Sequence, residues 1–477
     1  MKVLLIQPPE FNMITTNVPS VVDEETGAYP PLGLLYVAAF LEQQTDHTVE
    51  ILDAILDGLD YDGLEAEIRR RKPDVVGIQA MTFTLIDATL AAKVVKSIDP
   101  NIPVMFGGPH VYIYPNETLQ IPQVDYIVIG EGEKTTADLV NALSEGRDPS
   151  TVNGIGYKQN GEIKLTPAVA LNQDLDALPM PARHLVPQDR YYSVLARETP
   201  ITTMMSSRGC PMQCIFCDRP HLGKQFRYRS PQSVVDEMEA CERMGIKEIF
   251  IYDDTFTIRR DRVMEICRLY RKRGLTIKWD SRAHINTITE PMLDAMAASG
   301  VTRLHYGVEA GTEEITKVLK KGIDLNRTRE VFRETKKRGI TTLGYFMIGN
   351  PGETKEQAIE TIEFARRLDA DFIHLSVATP FPATELYRMA FKTGLYQNDY
   401  WREFSRNPSP DFRPKLWTEV MSEEELINLM QWGYNRFYMR GGYIMKRVLE
   451  LRNWNEFVRK ARAGIRLLAW GAKAKAV

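Results

Sequence analysis

One stretch decides the fold of this chain: Arg208-Gly209-Cys210-Pro211-Met212-Gln213-Cys214-Ile215-Phe216-Cys217. Its three cysteines have the spacing C-x3-C-x2-C and directly follow the apolar segment 201–205, which predicts a loop at the end of a strand. Three thiolates at this spacing can ligate three irons of a [4Fe–4S] cluster and leave the fourth iron without a protein ligand. We therefore interpret Cys210, Cys214 and Cys217 as cluster ligands around an open metal position, with the aromatic Phe216 beside the last of them.

A zinc site is the alternative interpretation of the same cysteines. His221 follows at C-x3-C-x2-C-x3-H, so the segment also supplies four sulfur and nitrogen ligands for a structural zinc ion. A zinc-stabilised binding protein is therefore the non-enzymatic hypothesis. The strand and helix pattern downstream of the loop favours the iron–sulfur cluster.

Composition limits the class of protein. The chain has 477 residues, 44% hydrophobic and 26% charged, which is typical of a globular protein with two or three domains. The net charge of −3 argues against a nucleic acid partner. We expect no signal peptide and no transmembrane helix. Cys241 and Cys267 stand alone on predicted helices, so we expect core thiols, no disulfide framework and a cytoplasmic location.

Residues 1–145 alternate short apolar runs with helical segments. This alternation predicts an α/β domain with a doubly wound, Rossmann-like parallel sheet. Ligands of such sheets bind at the carboxyl ends of the strands, where glycines let a ligand approach the backbone. These ends carry Gln7, Pro8, Pro9, Gln79, Thr82, Gly107, Gly108, His110, Gly130, Glu131, Gly132 and Glu133.

A linker is predicted over residues 146–195, with a small hairpin around the turn Asn160-Gly161. From 196 to 395 the alternation resumes as six strand–helix units, which predict a partial (β/α)6 barrel of the TIM type. Barrel chemistry takes place at the carboxyl ends of the strands. Those ends carry Asp253-Asp254, Arg282, Glu309 to Thr312, Gly349 to Thr354, and Thr379 to Thr384.

The C-terminal region, residues 396–477, is predicted to be helical. Apolar residues recur at three- and four-residue steps from Ile444 to Leu468, and lysines and arginines are in clear excess there. A helix packed on the barrel with a solvated basic face is the preferred interpretation. The alternative is a helix in peripheral contact with a membrane surface, since basic amphipathic helices bind anionic lipid headgroups.

Taken together, the cysteine loop and the barrel strand ends resemble the radical S-adenosylmethionine (SAM) enzymes. The segment Gly307-Val308-Glu309-Ala310-Gly311 is similar to the family's G-x-E-S-G, with alanine in place of serine, and residues 349–354 are similar to G-x-P-G-E-T. Residues 379–384 are similar to T-P-[YF]-P-G-T, but Ala383 replaces the glycine, which weakens the expectation of a tight turn there.

The first domain resembles the cobalamin (B12)-binding domain that precedes the core in one radical SAM subfamily. That subfamily includes class B methyltransferases and the anaerobic magnesium-protoporphyrin monomethyl ester cyclase. Cobalamin domains of the methionine-synthase type carry D-x-H-x-x-G, whose histidine ligates cobalt, and this motif is absent here. Cobalamin without a histidine ligand is therefore expected. His110 is the nearest candidate ligand, but its G-G-P-H setting favours a structural turn.

The resemblance implies three cofactors: the [4Fe–4S] cluster, SAM and cobalamin. It implies Asp253 and Asp254 near the SAM amino group, Arg282 facing its carboxylate and Glu309 near its ribose. The plain structural alternatives are helix caps, a surface arginine and ordinary strand-to-helix turns. The full set of implied SAM contacts is Phe216, Asp253, Asp254, Arg282, Glu309, Gly311, Thr312, Gly349 and Pro351. The implied cobalamin contacts are Gln7, Pro8, Pro9, Thr82, Gly107, Gly108, His110, Gly130, Glu131, Gly132 and Glu133.

The activity implied by the resemblance begins with one-electron cleavage of SAM to methionine and a 5′-deoxyadenosyl radical, which removes hydrogen from an unactivated carbon. Cobalamin-dependent methyl transfer to that carbon is the leading hypothesis. The alternative is radical cyclisation or oxidation of a tetrapyrrole-, lipid- or isoprenoid-like substrate. The partners implied are a small-molecule or lipid substrate and an electron donor such as flavodoxin or ferredoxin. Methylthiolation is disfavoured, because the sequence has no second cysteine trio for an auxiliary cluster.

Overall fold

The computed structural model describes residues 1–15, 27–218 and 223–449. The apolar runs form the strands of two large, mainly parallel sheets, and amphipathic helices connect these strands. The strands are β1 (Lys2–Gln7), β2 (Gly27–Ala28), β3 (Thr48–Asp53), β4 (Val75–Gln79), β5 (Val104–Gly107), β6 (Tyr126–Val128), β7 (Ile155–Gln159), β8 (Glu162–Leu165), β9 (Tyr192–Ser193), β10 (Ile201–Met204), β11 (Ser207–Arg208), β12 (Arg227–Tyr228), β13 (Glu248–Ile251), β14 (Lys278–Ala283), β15 (Val301–Glu309), β16 (Thr341–Ile348) and β17 (Phe372–Val377). The α-helices are α1 (Leu32–Gln44), α2 (Tyr61–Arg71), α3 (Leu85–Ile98), α4 (Pro109–Ile113), α5 (Pro115–Gln120), α6 (Gly132–Ser144), α7 (Pro231–Arg243), α8 (Arg260–Lys272), α9 (Glu290–Ala297), α10 (Glu313–Val318), α11 (Leu325–Lys337), α12 (Lys355–Arg367), α13 (Glu385–Lys392), α14 (Tyr400–Arg406), α15 (Glu423–Tyr438) and α16 (Gly441–Leu449).

The first sheet has the order β3-β1-β4-β5-β6-β7-β8, and its first five strands are parallel. The chain leaves β1 for β3 on one side and then crosses to β4 on the other, so the topological switch point lies between β1 and β4. Ligands of doubly wound sheets bind at such a point. The predicted doubly wound parallel sheet is confirmed.

The predicted hairpin is β7-β8, which pairs antiparallel to β6 and so extends the first sheet. Its turn has both Asn160 and Gly161 at positive φ (53° and 81°), the conformation of a type I′ turn. The sequence placed this hairpin in a linker because local turn chemistry does not reveal which sheet edge a hairpin joins. The domain boundaries at residues 145, 195 and 395 stay predictions.

The second sheet contains six parallel strands in chain order, β10-β13-β14-β15-β16-β17. Helices α7, α8, α9, α11, α12 and α15 share one hydrophobic core with these strands. Trp279 of β14 is fully buried in that core and donates its indole N–H to the Ser299 carbonyl at 2.6 Å. The predicted partial (β/α)6 barrel is confirmed.

Helix α15 covers the open edge of this partial barrel. The hydroxyl of Tyr434 accepts from the Leu375 N–H and donates to its C=O, both at 3.0 Å. Tyr438 does the same with Ile373, at 2.9 and 2.8 Å. Two tyrosines thus satisfy backbone groups of β17 that a seventh strand would otherwise pair.

The predicted helical C-terminal region is confirmed as far as residue 449. The remainder of its apolar and basic stripe, with the membrane contact predicted for it, lies outside the described residues. Among the helices that the structure describes, none is long and apolar enough to cross a membrane.

The two sheets meet with the carboxyl ends of their strands facing each other. One hydrophobic cluster contains Ala80 and Phe106 of the first sheet, Ile215 of the cysteine loop, and Met347 and Ala378 of the barrel. An edge-to-face contact between Phe83, which follows β4, and Phe381, which follows β17, joins the two edges at 5.3 Å between ring centroids. The strand ends at which the sequence placed the two sites therefore face each other.

We predict that Gly311→Ala destabilises the fold by about 1–3 kcal/mol, because an added methyl group cannot fit against a helix backbone. A Cβ at Gly311 would lie 2.6 Å from the Thr361 Cα and 2.9 Å from the Glu360 carbonyl oxygen of α12. Gly107→Ala is the matched control, since no described atom lies within 4 Å of its added Cβ. Guanidinium unfolding of both variants checks this, and equal losses of stability would contradict it.

Candidate active site

The cysteine loop runs between β11 and β12 and is tied to the barrel by its backbone. The N–H of Ile215 donates to the Leu319 carbonyl at 3.2 Å, and the Cys210 Sγ lies 3.8 Å from the Thr255 Oγ1 at the end of β13. Cys210 is half-buried, Cys214 is buried and Cys217 is exposed, and all three are free thiols. The sequence-predicted ligands therefore share one loop above the barrel strands, while the predicted zinc ligand His221 lies outside the described residues.

No three His, Cys, Asp or Glu side chains among the described residues converge on a single metal ion. A [4Fe–4S] cluster does not need such convergence, because each cysteine binds a different iron. Burial raises the pKa of Cys214, the nearby Lys321 ammonium opposes this, and Glu309 and Cys210 add to it.

Lys321 is a site residue that sequence reasoning missed. Its ammonium donates to the Glu309 Oε1 at 2.9 Å and lies 5.9 Å from the centroid of the Phe216 ring. Burial opposes its charge, but Glu309 and the Cys214 thiol raise the pKa of Lys321 above its usual value. A largely buried cation, with 11% of its side chain exposed, thus lies beside the cysteine loop. The tandem Lys320-Lys321 ahead of Gly322 was its sole sequence signal.

Glu309 adopts a left-handed backbone conformation (φ 69°), which is rare for a residue other than glycine. A register shift between Gly307 and Glu309 marks a bulge at the same point of β15. A Cβ at Gly307 would lie 2.5 Å from both the Glu309 Oε1 and the Lys321 Nζ, so the ion pair occupies space that glycine leaves open. Backbone strain of this kind clusters at functional sites.

Asp253 is fully buried and has four hydrogen bonds. Its carboxylate accepts from the N–H groups of Ser206 (2.6 Å) and Ser207 (3.0 Å) and from both of their hydroxyls (2.6 and 2.5 Å). Asp253 therefore fixes the start of the cysteine loop, while the neighbouring Asp254 is exposed. Arg282 is half-buried, with its guanidinium 5.1 Å from the Tyr252 ring centroid.

Gly311 and Gly349, the two glycines among the predicted SAM contacts, both pack against neighbouring helices. The N–H of Gly311 donates to the Thr361 Oγ1 at 3.0 Å, and Gly349, at φ 75°, would place a Cβ 2.6 Å from Leu426 of α15. Ala383 takes φ 65°, so the turn that the sequence doubted forms with alanine in the left-handed conformation. Pro351 is buried in the turn that follows β16.

Several buried polar atoms at the barrel strand ends have no hydrogen-bond partner among the described residues. They follow or end three adjacent strands, β14, β15 and β16. They are the Ser281 Oγ, the His284 Nε2, the Thr312 Oγ1 and the Asn350 Oδ1. Because buried polar groups are normally paired, these orphaned atoms fit a polar ligand such as SAM at this edge.

The facing edge of the first sheet shows the same feature. The Gln7 Oε1, the Gln79 Oε1 and the His110 Nε2 are buried without a partner in the described part of the chain, at the ends of the adjacent strands β1, β4 and β5. The Thr82 hydroxyl lies 3.1 Å from the other nitrogen of His110. Burial lowers the pKa of His110 to about 3, so its ring is neutral at physiological pH. A corrinoid carries amide side chains, which can pair with such atoms.

The remaining predicted cobalamin contacts fall into three groups. Pro8 and Pro9 are buried beneath the end of β1, and Gly107 has open space at its Cβ position. Gly108, at φ 122°, would place a Cβ 2.8 Å from the Ala80 carbonyl oxygen, so the close approach of β4 requires glycine. The loop Gly130–Glu133 turns into α6, and its two glutamates pair with arginines that flank the cysteine loop: Glu131 with Arg208 and Arg227, and Glu133 with Arg208. The contacts of all these residues with cofactors stay predictions.

Two family models match the chain. Residues 20–140 match the B12 binding domain and residues 204–365 match the radical SAM superfamily. A protein of Pyrococcus horikoshii described as an uncharacterized methyltransferase is 35% identical over 453 residues, which cover 94% of this chain and 95% of that protein. The chain belongs to the B12-binding radical SAM family.

Other relatives of this B12-binding radical SAM protein span most of its length. The anaerobic magnesium-protoporphyrin IX monomethyl ester cyclase of Rubrivivax gelatinosus is 28% identical, covering 93% of this chain and 78% of the cyclase. The solved structure of OxsB, a cobalamin-dependent radical SAM enzyme with aqua-cobalamin and SAM bound, superposes with a TM-score of 0.71 at 19% identity. That alignment covers 98% of this chain and 72% of OxsB, and it supports the fold.

Membership of this family confirms several predictions and contradicts one. The protein is a radical SAM enzyme with a cobalamin-binding domain, and the predicted cofactors, a [4Fe–4S] cluster, SAM and cobalamin, are confirmed at the level of the two domains. The predicted small-molecule substrate and external reductant follow from the radical SAM class. The hypothesis of a non-enzymatic zinc-binding protein is wrong, because the cysteine spacing that also suits zinc lies inside a radical SAM domain.

A buried carboxyl group gives a pH prediction. Glu353 is fully buried and accepts from the N–H (2.9 Å) and the side-chain amide (3.1 Å) of Asn350, and burial raises its pKa from 4.5 to about 7. Since the folded state holds this proton more tightly than the unfolded state, its stabilisation is complete below pH 4.5 and is lost as the pH rises through about 7. We expect the unfolding free energy of the wild type relative to Glu353→Gln to fall across that window, by a few kcal/mol. A pH-independent difference would contradict this.

We predict that Cys214→Ala abolishes both [4Fe–4S] assembly and reductive SAM cleavage, because one of three iron ligands is lost. Cys241→Ala is the matched control, since Cys241 is a fully buried thiol on α7, away from the loop. Iron and sulfide analysis and 5′-deoxyadenosine formation after anaerobic reconstitution measure both properties. Wild-type SAM cleavage by Cys214→Ala would refute the ligand assignment.

Proposed function

We propose that this enzyme transfers a methyl group to an unactivated carbon of a polar small molecule. The observation that carries the proposal is the face-to-face arrangement of the two sheet edges, joined through Phe83 and Phe381. A methyl donor held at the first edge and a radical-generating centre held at the second would share one enclosed space. When bound, the cluster and SAM supply a carbon radical, and cobalamin supplies the methyl group.

Different residues of the barrel edge are suited to binding the cluster and to binding SAM. Cys210, Cys214 and Cys217 would hold the cluster, and Asp253 fixes the start of their loop through its four hydrogen bonds. The buried Lys321 ammonium is placed to neutralise anionic charge beside the thiolates, and it suits a carboxylate as a partner. At the same edge, the Thr312 hydroxyl and the side-chain oxygen Oδ1 of Asn350 have no hydrogen-bond partner among the described residues.

Residues of the first edge suit a corrinoid held without a histidine ligand to cobalt. The His110 ring is fully buried, and its Nδ1 lies at hydrogen-bond distance from Thr82. We propose that Gln7, Gln79 and His110 form hydrogen bonds with the amide side chains of the corrinoid. The Glu131 carboxylate pairs with Arg208 and Arg227, and the Glu133 carboxylate pairs with Arg208, at the base of the cysteine loop.

The interior of the barrel favours a polar substrate over a lipid. Along β17, Leu375 packs toward α15, where its Cδ2 lies 2.5 Å from the Cβ position of Gly433. Strand alternation therefore turns His374 to the barrel interior. The ring of His374 lies 5.8 Å from that of Tyr345, whose hydroxyl is 2.9 Å from the His305 Nδ1. Imidazole and phenol groups suit a substrate with hydrogen-bonding groups of its own.

Cyclisation or oxidation is the second candidate, favoured by the 28% identity to the cyclase of Rubrivivax gelatinosus over 93% of this chain. A low-potential donor such as flavodoxin or ferredoxin would supply the electron for either reaction. All five cysteines are free thiols, which supports the proposal of a reducing, cytoplasmic location.

Methyl-labelled SAM distinguishes the two reactions. Reconstituted enzyme, hydroxocobalamin, a low-potential reductant and a small-molecule extract of the source cells are incubated anaerobically with SAM that carries a trideuterated methyl group. Methylation predicts an extract component that gains three deuterium atoms, together with 5′-deoxyadenosine, and predicts that Cys214→Ala forms neither. Products that form with 5′-deoxyadenosine but without deuterium would favour cyclisation or oxidation.

A further inference from the structure

Two arginines face each other at the base of the cysteine loop. Strands β11 and β12 form an antiparallel ribbon that brackets the loop, and Arg208 lies directly opposite Arg227 in its register. Like charges at directly opposed positions destabilise a ribbon. Both side chains are also nearly fully buried, at 8% and 2% exposure, and unpaired buried cations are costly. The ribbon therefore depends on carboxylates from elsewhere.

Those carboxylates come from the first domain. The Glu131 Oε1 accepts from Arg208 at 2.8 Å and from Arg227 at 2.9 Å, so one oxygen bridges the two cations. Glu133 accepts from the second terminal nitrogen of Arg208. The exposure of the two carboxylates is 9% and 8%, which places the whole network out of water.

Further contacts from the first domain and from the linker surround the network. The Arg208 guanidinium lies 5.5 Å from the ring centroid of Tyr36 on α1. The second oxygen of Glu131 accepts from the Asn172 N–H at 2.6 Å, and the carbonyl of Asn172 accepts from Arg227 at 2.5 Å. The ribbon is thus held by the loop Gly130–Glu133, which follows β6 at the ligand-binding edge of the first sheet.

We propose that Glu131 and Glu133 are positioning residues that couple corrinoid binding at the first edge to the electrostatic environment of the [4Fe–4S] loop. This rests on the cofactor sites of the proposed function. Arg208 is two residues before Cys210, so any displacement of the loop Gly130–Glu133 changes how completely a cation beside the cluster is neutralised. Such coupling is reciprocal: the state of the cluster loop must also change corrinoid affinity.

Cluster potential measures this coupling without any turnover. The full-length protein is reconstituted with iron and sulfide, and the EPR spectrum of the reduced cluster and its midpoint potential are recorded with and without hydroxocobalamin. The variants are Glu131→Gln and Glu133→Gln. The matched control is Asp138→Asn, which removes the same charge from an exposed pair with Lys134 on α6, the helix that begins in this loop.

We expect hydroxocobalamin to shift the wild-type potential and EPR spectrum, and both glutamate variants to lose that shift. In the absence of corrinoid, loss of a nearby negative charge favours the reduced cluster. We therefore expect a higher midpoint potential in both variants, equivalent to a few-fold increase in the equilibrium constant for cluster reduction. Asp138→Asn behaves as the wild type. Glu131→Asp, which keeps the charge, restores part of the coupling, whereas a defect in packing alone would not be rescued by charge.

Iron content, sulfide content and corrinoid absorbance are measured on every sample. These measurements distinguish a protein that has not bound a cofactor from one that has bound both cofactors but lacks the coupling. If the wild type binds no corrinoid, the methyl-transfer proposal fails, and the coupling fails with it. If both corrinoid-free variants have the same midpoint potential as the wild type, the two carboxylates do not act on the cluster. If corrinoid binds and the variants shift as the wild type does, the coupling is overturned while the proposed function stands. If Glu131→Gln does not fold, the coupling is tested with Glu133→Gln and with the corrinoid titration of the wild type.

Discussion

The geometry of the cysteine loop depends on a buried carboxylate that fixes where the loop begins. Asp253 accepts hydrogen bonds from the backbone and hydroxyls of both Ser206 and Ser207, so the chain leaves β10 in one defined direction. The next residue, Arg208, is held by carboxylates of the other domain. Further along the loop the Ile215 N–H donates to the Leu319 carbonyl, so the geometry of the loop is set by anchors at its start and within it.

Sequence could predict the parts of this architecture that are local. The cysteine spacing lies within eight residues, and strand–helix alternation is a pattern of short segments, so the cluster loop and both parallel sheets were predictable. The helical nature of α15 was predictable too. Its role was not, because the pairing of Tyr434 with Leu375 joins residues 59 positions apart.

The parts that sequence could not predict are contacts between distant residues. The resemblance implied Asp253 near the SAM amino group, and that contact stays a prediction. The contacts of Asp253 in the structure are with Ser206 and Ser207, at the start of the cysteine loop. Glu131 and Glu133 sit in a glycine-rich turn that suits a ligand, yet Arg208 and Arg227, at least 75 positions away, take their charge. Lys321 carries no motif at all. The sequence placed charged residues at strand ends but did not reveal their partners, because burial of a charge decides which partner it needs.

The polar atoms that have no partner in the described part of the chain favour ligand binding at the facing edges over a purely structural domain interface. An interface built for stability would pair or replace the buried oxygens of Gln7 and Gln79 and the hydroxyl of Thr312, since each buried unpaired group costs about 1–3 kcal/mol. The aromatic contact of Phe83 with Phe381 shows that the same interface is well packed a short distance away. The cost is therefore concentrated at the strand ends. Ligands that pair these atoms bind the folded state alone, so they recover that free energy as affinity and stabilise the enzyme by mass action.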